Sequence, residues 1–242
     1  MEKELAQILA YIKQNTTEDS TDSIRFFGEC VRNIHKSNSQ NFQDVWALYE
    51  NKGKHDGFFV EFGATNGIDG SNTYLLEQDY FWTGILAEPN PNVLDQLVKN
   101  RNHYTQIVDK CVYTKSHEYI EFNITDESDL STIVGYGQDD EHSLKRKNGK
   151  VVKVSTISLL DMLNEKYAPQ VVDYLSIDTE GSEYDILEAF FVDNNYYKIS
   201  CITVEHNYNA VNRQKLFDLL TKNGYERKFT EFSKWDDFYV KD

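Results

Sequence analysis

Cysteine is scarce in this chain of 242 residues: Cys30, Cys111 and Cys201 stand far apart, with no CxxC pair. That spacing excludes a disulfide frame and a thiolate zinc site, and fits free thiols in a reducing compartment. No apolar run approaches the roughly 18 residues of a membrane span. The N-terminus MEKELAQILAYIKQ is too charged for a signal peptide. Basic residues are also few: 25 Lys plus Arg face 40 Asp plus Glu, a formal net charge of −15. A field of that sign repels phosphate backbones and anionic lipid surfaces. A cytoplasmic protein is expected, with no nucleic-acid partner and no membrane insertion. A neutral or cationic small molecule suits its field better.

What is present is patterned. Residues 3–14 place Leu5, Ile8, Leu9 and Ile12 on one helix face. The polar stretch NTTEDSTDS reads as a linker, and the region from Ile24 to Tyr49 as interrupted helix. From Gly57 onward come the strand-like runs FFVEF, GILAE, TQIVD, YIEFNI, VVKVSTI, VDYLSID and ISCITVE. Between several of them lie the helix-like segments SNTYLLEQ, PNVLDQLVKN, SLLDMLNEKY, SEYDILEAFF and NRQKLFDLLTKN. Strands apolar on both faces, separated by amphipathic helices, predict an α/β fold with a doubly wound, mostly parallel sheet. Ser158 with Asp161 and Ser182 with Asp185 carry capping-box-like signals, and Pro91 suits a first helical turn. At the end, GYERKFTEF and WDDFYV leave no room for a helix and predict an antiparallel hairpin. A seven-stranded sheet closed in this way resembles the Rossmann-like class I methyltransferases. The expected division is a helical extension, 1–38, and a domain, 39–242.

Only twelve glycines are present, yet Gly63, Gly67 and Gly70 crowd into VEFGATNGIDG, behind the acid Glu61. Ligands of open α/β sheets bind at the carboxyl ends of the strands, where glycine allows close approach and positive φ. The loop is neither GxGxxG nor a P-loop. GILAEPNP ends the next strand with Glu88, a carboxylate suited to the two hydroxyls of a ribose. The third strand ends at Asp109, followed by Cys111 and Val112, which in this architecture lie beside an adenine; a plain turn is the competing reading of Asp109.

Four segments in order, SNTYLLE, GILAEPNP, LSIDTEGSEYDIL and TVEHN, with the lead-in SQNFQDVWALYENKGKHDGFFVEFGATNG, resemble the FkbM family of methyltransferases over residues 39–242. The resemblance implies a class I fold, S-adenosylmethionine as donor, and O-methylation of sugars or other hydroxyl-bearing natural products. By position it places Glu61, Gly63, Ala64, Thr65, Asn66 and Gly67 at the donor's amino acid end. Ser71, Asn72 and Thr73 then open the next helix, whose N-terminal amides are expected to hold the donor's carboxylate. Two departures are mild: Glu61 stands where Asp is common, and Thr65-Asn66 where a Cys-Asp or Asn-Asp pair is frequent.

A hydroxyl acceptor must lose a proton, to a general base or through a metal. Asp178, Glu180 and Glu183 follow one strand, and Glu205, His206 and Asn207 follow another. Adjacent strands lie about 4.8 Å apart, so the two clusters can face each other. Asp178 is expected to touch donor and acceptor alike; Glu180, Glu205 and His206 complete the catalytic candidates. His206 is the candidate base, with nearby carboxylates expected to raise its pKa. Alternatively Asp178, Glu205 and His206 or Asn207 hold a divalent ion, which is not the favoured reading. The long polar segment 123–150 offers Tyr136, His142, Lys145 and Arg146 to the acceptor. The expected function is O-methylation of a small-molecule or glycan acceptor. The competing readings are a metal-dependent enzyme for a catechol-like or polyketide hydroxyl, and a non-catalytic binding module. The N-terminal helix is left to cap the acceptor pocket or to join a second subunit in a homo-oligomer.

Overall fold

The computed structural model describes residues 2–17, 21–137 and 142–241. Backbone contacts divide it into two units, 1–36 and 37–242, against an expected boundary after residue 38. The first unit holds helices α1 (Glu2–Asn15) and α2 (Thr21–Asn33). On α1, Ile8 and Leu9 of the expected apolar face are exposed; the side chain of Leu5 lies outside the described ones. The expected linker is shorter than its composition suggests, because α2 begins inside it.

The second unit runs α3 (Gln43–Glu50), β1 (Phe58–Phe62), α4 (Tyr74–Tyr80), β2 (Thr83–Ala87), α5 (Leu94–Asn100), β3 (Gln106–Val108), β4 (Cys111–Tyr113), β5 (Tyr119–Ile124) and β6 (Thr132–Ile133). It continues with α6 (Ser143–Arg146), β7 (Lys150–Ser158), α7 (Leu159–Glu165), β8 (Val171–Ile177), α8 (Glu183–Asp193), β9 (Lys198–Glu205), α9 (Ala210–Lys222), β10 (Glu226–Lys228) and β11 (Asp236–Val240). A seven-stranded sheet has the order β10-β11-β9-β8-β1-β2-β3. From β3 to β9 every pairing is parallel. The hairpin forms as predicted, but β11 inserts between β9 and β10, antiparallel to both. This is the class I methyltransferase fold, an α/β architecture with a mostly parallel sheet and a C-terminal antiparallel hairpin.

Two predicted strands leave that sheet. β5 and β7 pair antiparallel and build a second, four-stranded sheet, β4-β7-β5-β6. Their composition explains it. In YIEFNI the side chains alternate, with Phe122 and Ile124 buried and Tyr119 and Glu121 exposed, a half-solvated pattern that a sheet covered on both faces does not accept. β8, by contrast, is buried at six successive residues from Val172 to Ile177. Val60, Phe62, Ile85, Ala87, Leu175, Ile177, Ile202 and Val204 share one core with residues of α7, α8 and α9. Each Val, Ile, Leu or Phe among them contributes about 1.5–3 kcal/mol on burial.

Helix starts follow the sequence unevenly. Ser158 caps α7, its hydroxyl accepting from the Asp161 N–H at 3.1 Å. Ser182 does not cap α8. The Glu183 carboxylate instead orders the loop ahead of the helix, accepting from the N–H groups of Thr179 and Gly181 at 3.0 and 2.9 Å. The three cysteines are buried free thiols. Among the described residues no helix is long and apolar enough to cross a membrane.

Candidate active site

Because β1, β2, β8 and β9 are parallel, their carboxyl ends share one edge of the sheet. That edge gathers Glu61, Glu88, Asp178, Glu205 and His206, and it carries unusual backbone. Thr65, Glu180, Asn207 and Tyr208 have φ of 44°, 61°, 47° and 56°, left-handed values at non-glycine residues. Such conformations cost about 1–3 kcal/mol each and concentrate where function requires them.

The glycine loop is packed against protein on its inner side. At Gly63, with φ +70°, a Cβ would lie 2.4 Å from the Asp178 carbonyl oxygen. At Gly67 it would lie 2.6 Å from Leu97 Cδ1 and 2.9 Å from Arg101 Cγ. The neighbours that require these glycines are therefore the end of β8 and helix α5. Glu61 also faces inward. It accepts from the Asn72 N–H at 2.7 Å, from Ser71 Oγ at 3.1 Å and from the Thr73 hydroxyl. Burial pushes its carboxyl up, and the Arg101 guanidinium is the largest influence opposing that.

Arg101 is the residue the sequence does not betray. It is fully enclosed, with Nη1 3.6 Å from Glu61 and Nε 3.2 Å from Glu77. It donates to the Gly67 carbonyl, to Ser71 Oγ and to Thr73 Oγ1 at 3.3, 3.2 and 2.9 Å. A basic residue at the end of an amphipathic helix reads as a solvated charge; only the fold brings it under the loop. The amides that open α4 are committed as well. Asn72 N–H serves Glu61, and those of Thr73 and Tyr74 serve Ser71 Oγ at 3.2 and 3.1 Å. These three amides thus already have partners within the protein, where the sequence expects them to hold a ligand's carboxylate.

Outside the loop lies a cavity of about 500 Å³. Gly63, Thr65, Asn66, Ser71, Asn72, Glu88, Cys111, Asp178 and Glu180 line it; Glu61, Ala64, Gly67, Thr73 and Asp109 do not. Ala64 is buried, and Asp109 is exposed at the turn after β3, the competing reading of that residue. Glu88 accepts from the N–H groups of Thr65 and Asn90 at 2.9 and 2.8 Å. Burial pushes its carboxyl up to about 7 against those two bonds. Burial, with the Glu88 charge beside it, pushes the Cys111 thiol up to about 12, so it stands as a neutral wall. Asn72 donates to Ser176 Oγ at 2.9 Å, and its buried Oδ1 has no hydrogen-bond partner.

At the ends of β8 and β9, Asp178, Glu180 and Glu205 each place a carboxylate oxygen within 4.8 Å of the others. Burial first, then the neighbouring Glu180, Asp236 and Glu183 charges, raise Asp178 well above the usual carboxylate range. Burial and Asp178 do the same to Glu205. The Asp178 and Glu205 carboxylates stand within 4.8 Å of each other, and two buried carboxyl groups that close favour sharing one proton over ionising together. Glu180 is charge-paired by Arg146 and accepts from Asn207 Nδ2 at 3.0 Å. Arg146, from the 123–150 segment, is itself anchored on the Leu130 and Gly137 carbonyls at 2.9 and 2.7 Å. Its role is therefore to neutralise Glu180 rather than to meet an acceptor. In the same segment the Tyr136 phenol donates to Asp185. Lys145 pairs with Glu127 at the surface at 2.7 Å, and half-buried His142 precedes α6. Residues 138–141 lie outside the described ones.

His206 departs from expectation. Burial lowers its pKa to about 4, outweighing the Asp237 charge that raises it. Its Nδ1 accepts from the Tyr208 N–H at 3.2 Å, which places the ring proton on Nε2, 3.9 Å from Asp237. The basic lone pair is thus already used, and the imidazole stays neutral. His206 is not among the groups with metal-ligand spacing, which are Asp178, Glu180 and Glu205 among the described residues. A second cavity, of about 390 Å³, opens on the far side of this cluster; it shares Glu180 with the first and is lined by Tyr136, Glu205, His206, Asn209 and Asn212 among others.

The Methyltransferase FkbM domain matches residues 61–238. No curated protein matches the chain. Among solved structures, it is similar to the precorrin-6y C5,15-methyltransferase of Geobacter metallireducens GS-15, at 13% identity and TM-score 0.42, covering 81% of this chain and 85% of that one. The plantazolicin methyltransferase BpumL in complex with SAH gives 11% identity and TM-score 0.42, over 100% and 96%. The fibrillarin pre-rRNA processing protein of Methanococcus jannaschii gives 10% and 0.40, over 77% and 66%. The family match begins at the first acid of the glycine loop and ends in the last strand of the sheet, so it takes in the whole edge described above. By that match this chain belongs to the FkbM methyltransferase family, as an S-adenosylmethionine-dependent methyltransferase.

Proposed function

We propose that this enzyme methylates a hydroxyl of a sugar, glycan or sugar-containing natural product without a metal, and that the larger cavity is the donor's. The observation that carries the reading is the Asp178–Glu205 pair: the two carboxylates stand within 4.8 Å of each other, Asp178 lining the larger cavity and Glu205 the second, which supports a proton acceptor for a hydroxyl. The residues fit the donor. Glu88, fixed by two amides, presents a carboxylate for the ribose hydroxyls. The orphaned Asn72 Oδ1 awaits an N–H donor such as an amino group. Ala87, Cys111 and Val112 supply an apolar wall. When bound, S-adenosylmethionine supplies an electrophilic methyl group on its sulfonium. The chain's own task is to align an oxygen with it, exclude water and take a proton. The net charge of −15 disfavours an anionic acceptor.

Two outcomes are expected. S-adenosylhomocysteine affinity, measured by calorimetry, tightens as pH rises through about 7, where Glu88 ionises. The sign follows from the ligand: hydroxyls donate to the ionised carboxylate, so binding releases a proton below that pH and none above it. Glu88→Gln weakens binding by about 1.5–3 kcal/mol and flattens the profile; a variant with the wild-type profile removes Glu88 from the site. Secondly, EDTA leaves most of the activity in place in an acceptor screen read by S-adenosylhomocysteine release. Activity lost in EDTA, restored by one divalent ion and abolished in Glu205→Ala, would make the carboxylates metal ligands instead.

A further inference from the structure

We propose that acids at the mouth of the larger cavity, Asp126 and Asp129 foremost, make it select by charge, binding the cationic donor more tightly than the neutral product that the reaction leaves behind; this rests on that cavity being the donor's. Among the described residues, seven carboxylates line the cavity and no lysine, arginine or histidine does. Glu88, Asp178 and Glu180 are those at the strand ends. Asp69, Asp126, Glu127 and Asp129 are exposed, and so stand at the mouth. They come from two sides. Asp69 follows the glycine loop, where Asn66 Nδ2 donates to it at 2.7 Å. The other three lie on the loop between β5 and β6. That loop is held in shape: the Thr125 N–H donates to Ser131 Oγ at 3.1 Å, the Thr125 hydroxyl donates to the Glu127 carbonyl, and Leu130 is buried. Lys145 is paired with Glu127 and Arg146 with Glu180. Asp69, Asp126 and Asp129 have no basic partner among the described residues.

Asn72 points the same way. It lines the cavity, is 8% exposed, and its buried Oδ1 accepts no hydrogen bond. An amide oxygen in that state fits an N–H donor, which an ammonium supplies. The reaction itself then separates donor from product by charge. S-adenosylmethionine carries a carboxylate, an ammonium and a sulfonium, and is a cation overall. On transfer the carbon–sulfur bond breaks with its electron pair going to sulfur, and the methyl carbon bonds to the acceptor oxygen. The hydroxyl proton passes to the Asp178–Glu205 pair. S-adenosylhomocysteine is left with no net charge. Donor and product share their hydrogen-bonding groups, so Asn72 and Glu88 serve both alike and do not tell them apart. The field of the lining does. A cleft lined by one sign of charge concentrates ligands of the other sign and speeds their entry by about 10–10³-fold. That pull acts on the sulfonium and is lost with it. Because the mouth acids are exposed, salt screens them: the Debye length is about 30 Å at 10 mM and about 3 Å at 1 M.

The test is calorimetric binding to the full chain, in EDTA so that no divalent ion occupies the carboxylates. The ligands are S-adenosylmethionine, S-adenosylhomocysteine and sinefungin, whose ammonium stands in place of the sulfonium methyl. At about 10 mM salt both cations are expected to bind about tenfold or more tighter than S-adenosylhomocysteine, and at about 1 M salt the preference shrinks to about threefold or less. This salt series on the wild-type protein needs no variant. The double variant Asp126→Asn, Asp129→Asn, at two exposed positions, cuts the low-salt preference about threefold or more. Asp218→Asn with Glu226→Gln removes as much charge from exposed positions outside the cavity, and keeps the preference within about 1.5-fold of wild type. The proposal is overturned if S-adenosylhomocysteine binds as tightly as the cations at low salt, or if the preference does not change with salt. It also falls if the mouth variant, once shown to fold by thermal unfolding, keeps the full preference. Equal loss in the two double variants sinks it too, because overall charge rather than the mouth is then what selects. Wild-type protein that binds none of the three ligands refutes the donor cavity itself, and the present proposal with it.

Discussion

Gly63→Val is expected to lower the stability of this methyltransferase by about 3–5 kcal/mol, the sum of left-handed strain at a β-branched residue and forced overpacking. The cause is protein against protein. A Cβ at this position sits 2.4 Å from the Asp178 carbonyl oxygen, which is backbone and cannot rotate away. For a domain of this size each kcal/mol moves Tm by about 2–4 °C, so a fall on the order of 10 °C follows. Relief requires the end of β8 to retreat, and Asp178 retreats with it. Turnover of the surviving folded fraction should therefore drop along with donor affinity. Gly63→Ala meets the same oxygen without the β-branch and should fall between the two. Thermal unfolding of purified variants decides it: a Tm within about 2 °C of wild type would show that β8 and the loop are free to part.

Arg101→Met should cost about 3–5 kcal/mol, because removing one partner of a buried ion pair strands the other. Here two carboxylates are stranded, Glu61 and Glu77. The loop also loses donors to Gly67, Ser71 and Thr73, and the rings of Phe59 and Tyr74 lose a guanidinium at 5.4 and 5.8 Å. The pH dependence identifies the mechanism. Burial already raises the Glu61 carboxyl with Arg101 present; without the guanidinium it rises further. A carboxyl raised in the folded state penalises folding where the unfolded chain has it ionised, and the penalty vanishes as pH falls to the ordinary carboxylate range. The Tm gap between wild type and Arg101→Met should thus be wide at pH 8 and narrower near pH 5. A gap independent of pH would mean that packing, not charge, is what Arg101 contributes. Donor affinity should fall in the same variant, since the loop carrying Thr65 and Asn72 hangs on this side chain.

The amino-acid sequence alone determined the order of the main sheet's strands and helices from β1 to α9, but not β4, β6 or α6. It also showed that acids stand at the ends of five strands and glycines behind the first. These are local properties. A run apolar on both faces and a 3.6-residue stripe are each visible within ten residues, and parallel strands joined by helices must bring their carboxyl ends to one edge. The same logic paired Asp178 with Glu205, because their strands are neighbours. The tertiary structure decided what each of those groups does. Glu61 reads as a ligand acid, yet Ser71, Thr73 and Arg101 saturate it. His206 reads as a base, yet its backbone turn hands Tyr208 N–H to Nδ1. Ser182 has the pattern of a cap, yet its hydroxyl turns back to donate to Thr179 Oγ1. YIEFNI and VVKVSTI have strand period, yet their polar face sends them to a second sheet. Arg146 reads as one charge in a polar loop, yet it neutralises Glu180 from the other side of the site. In each case a polar group settles with whichever partner the folded chain brings within about 3 Å. Here those partners come from turns and from distant segments, and periodicity and spacing carry no record of which one arrives.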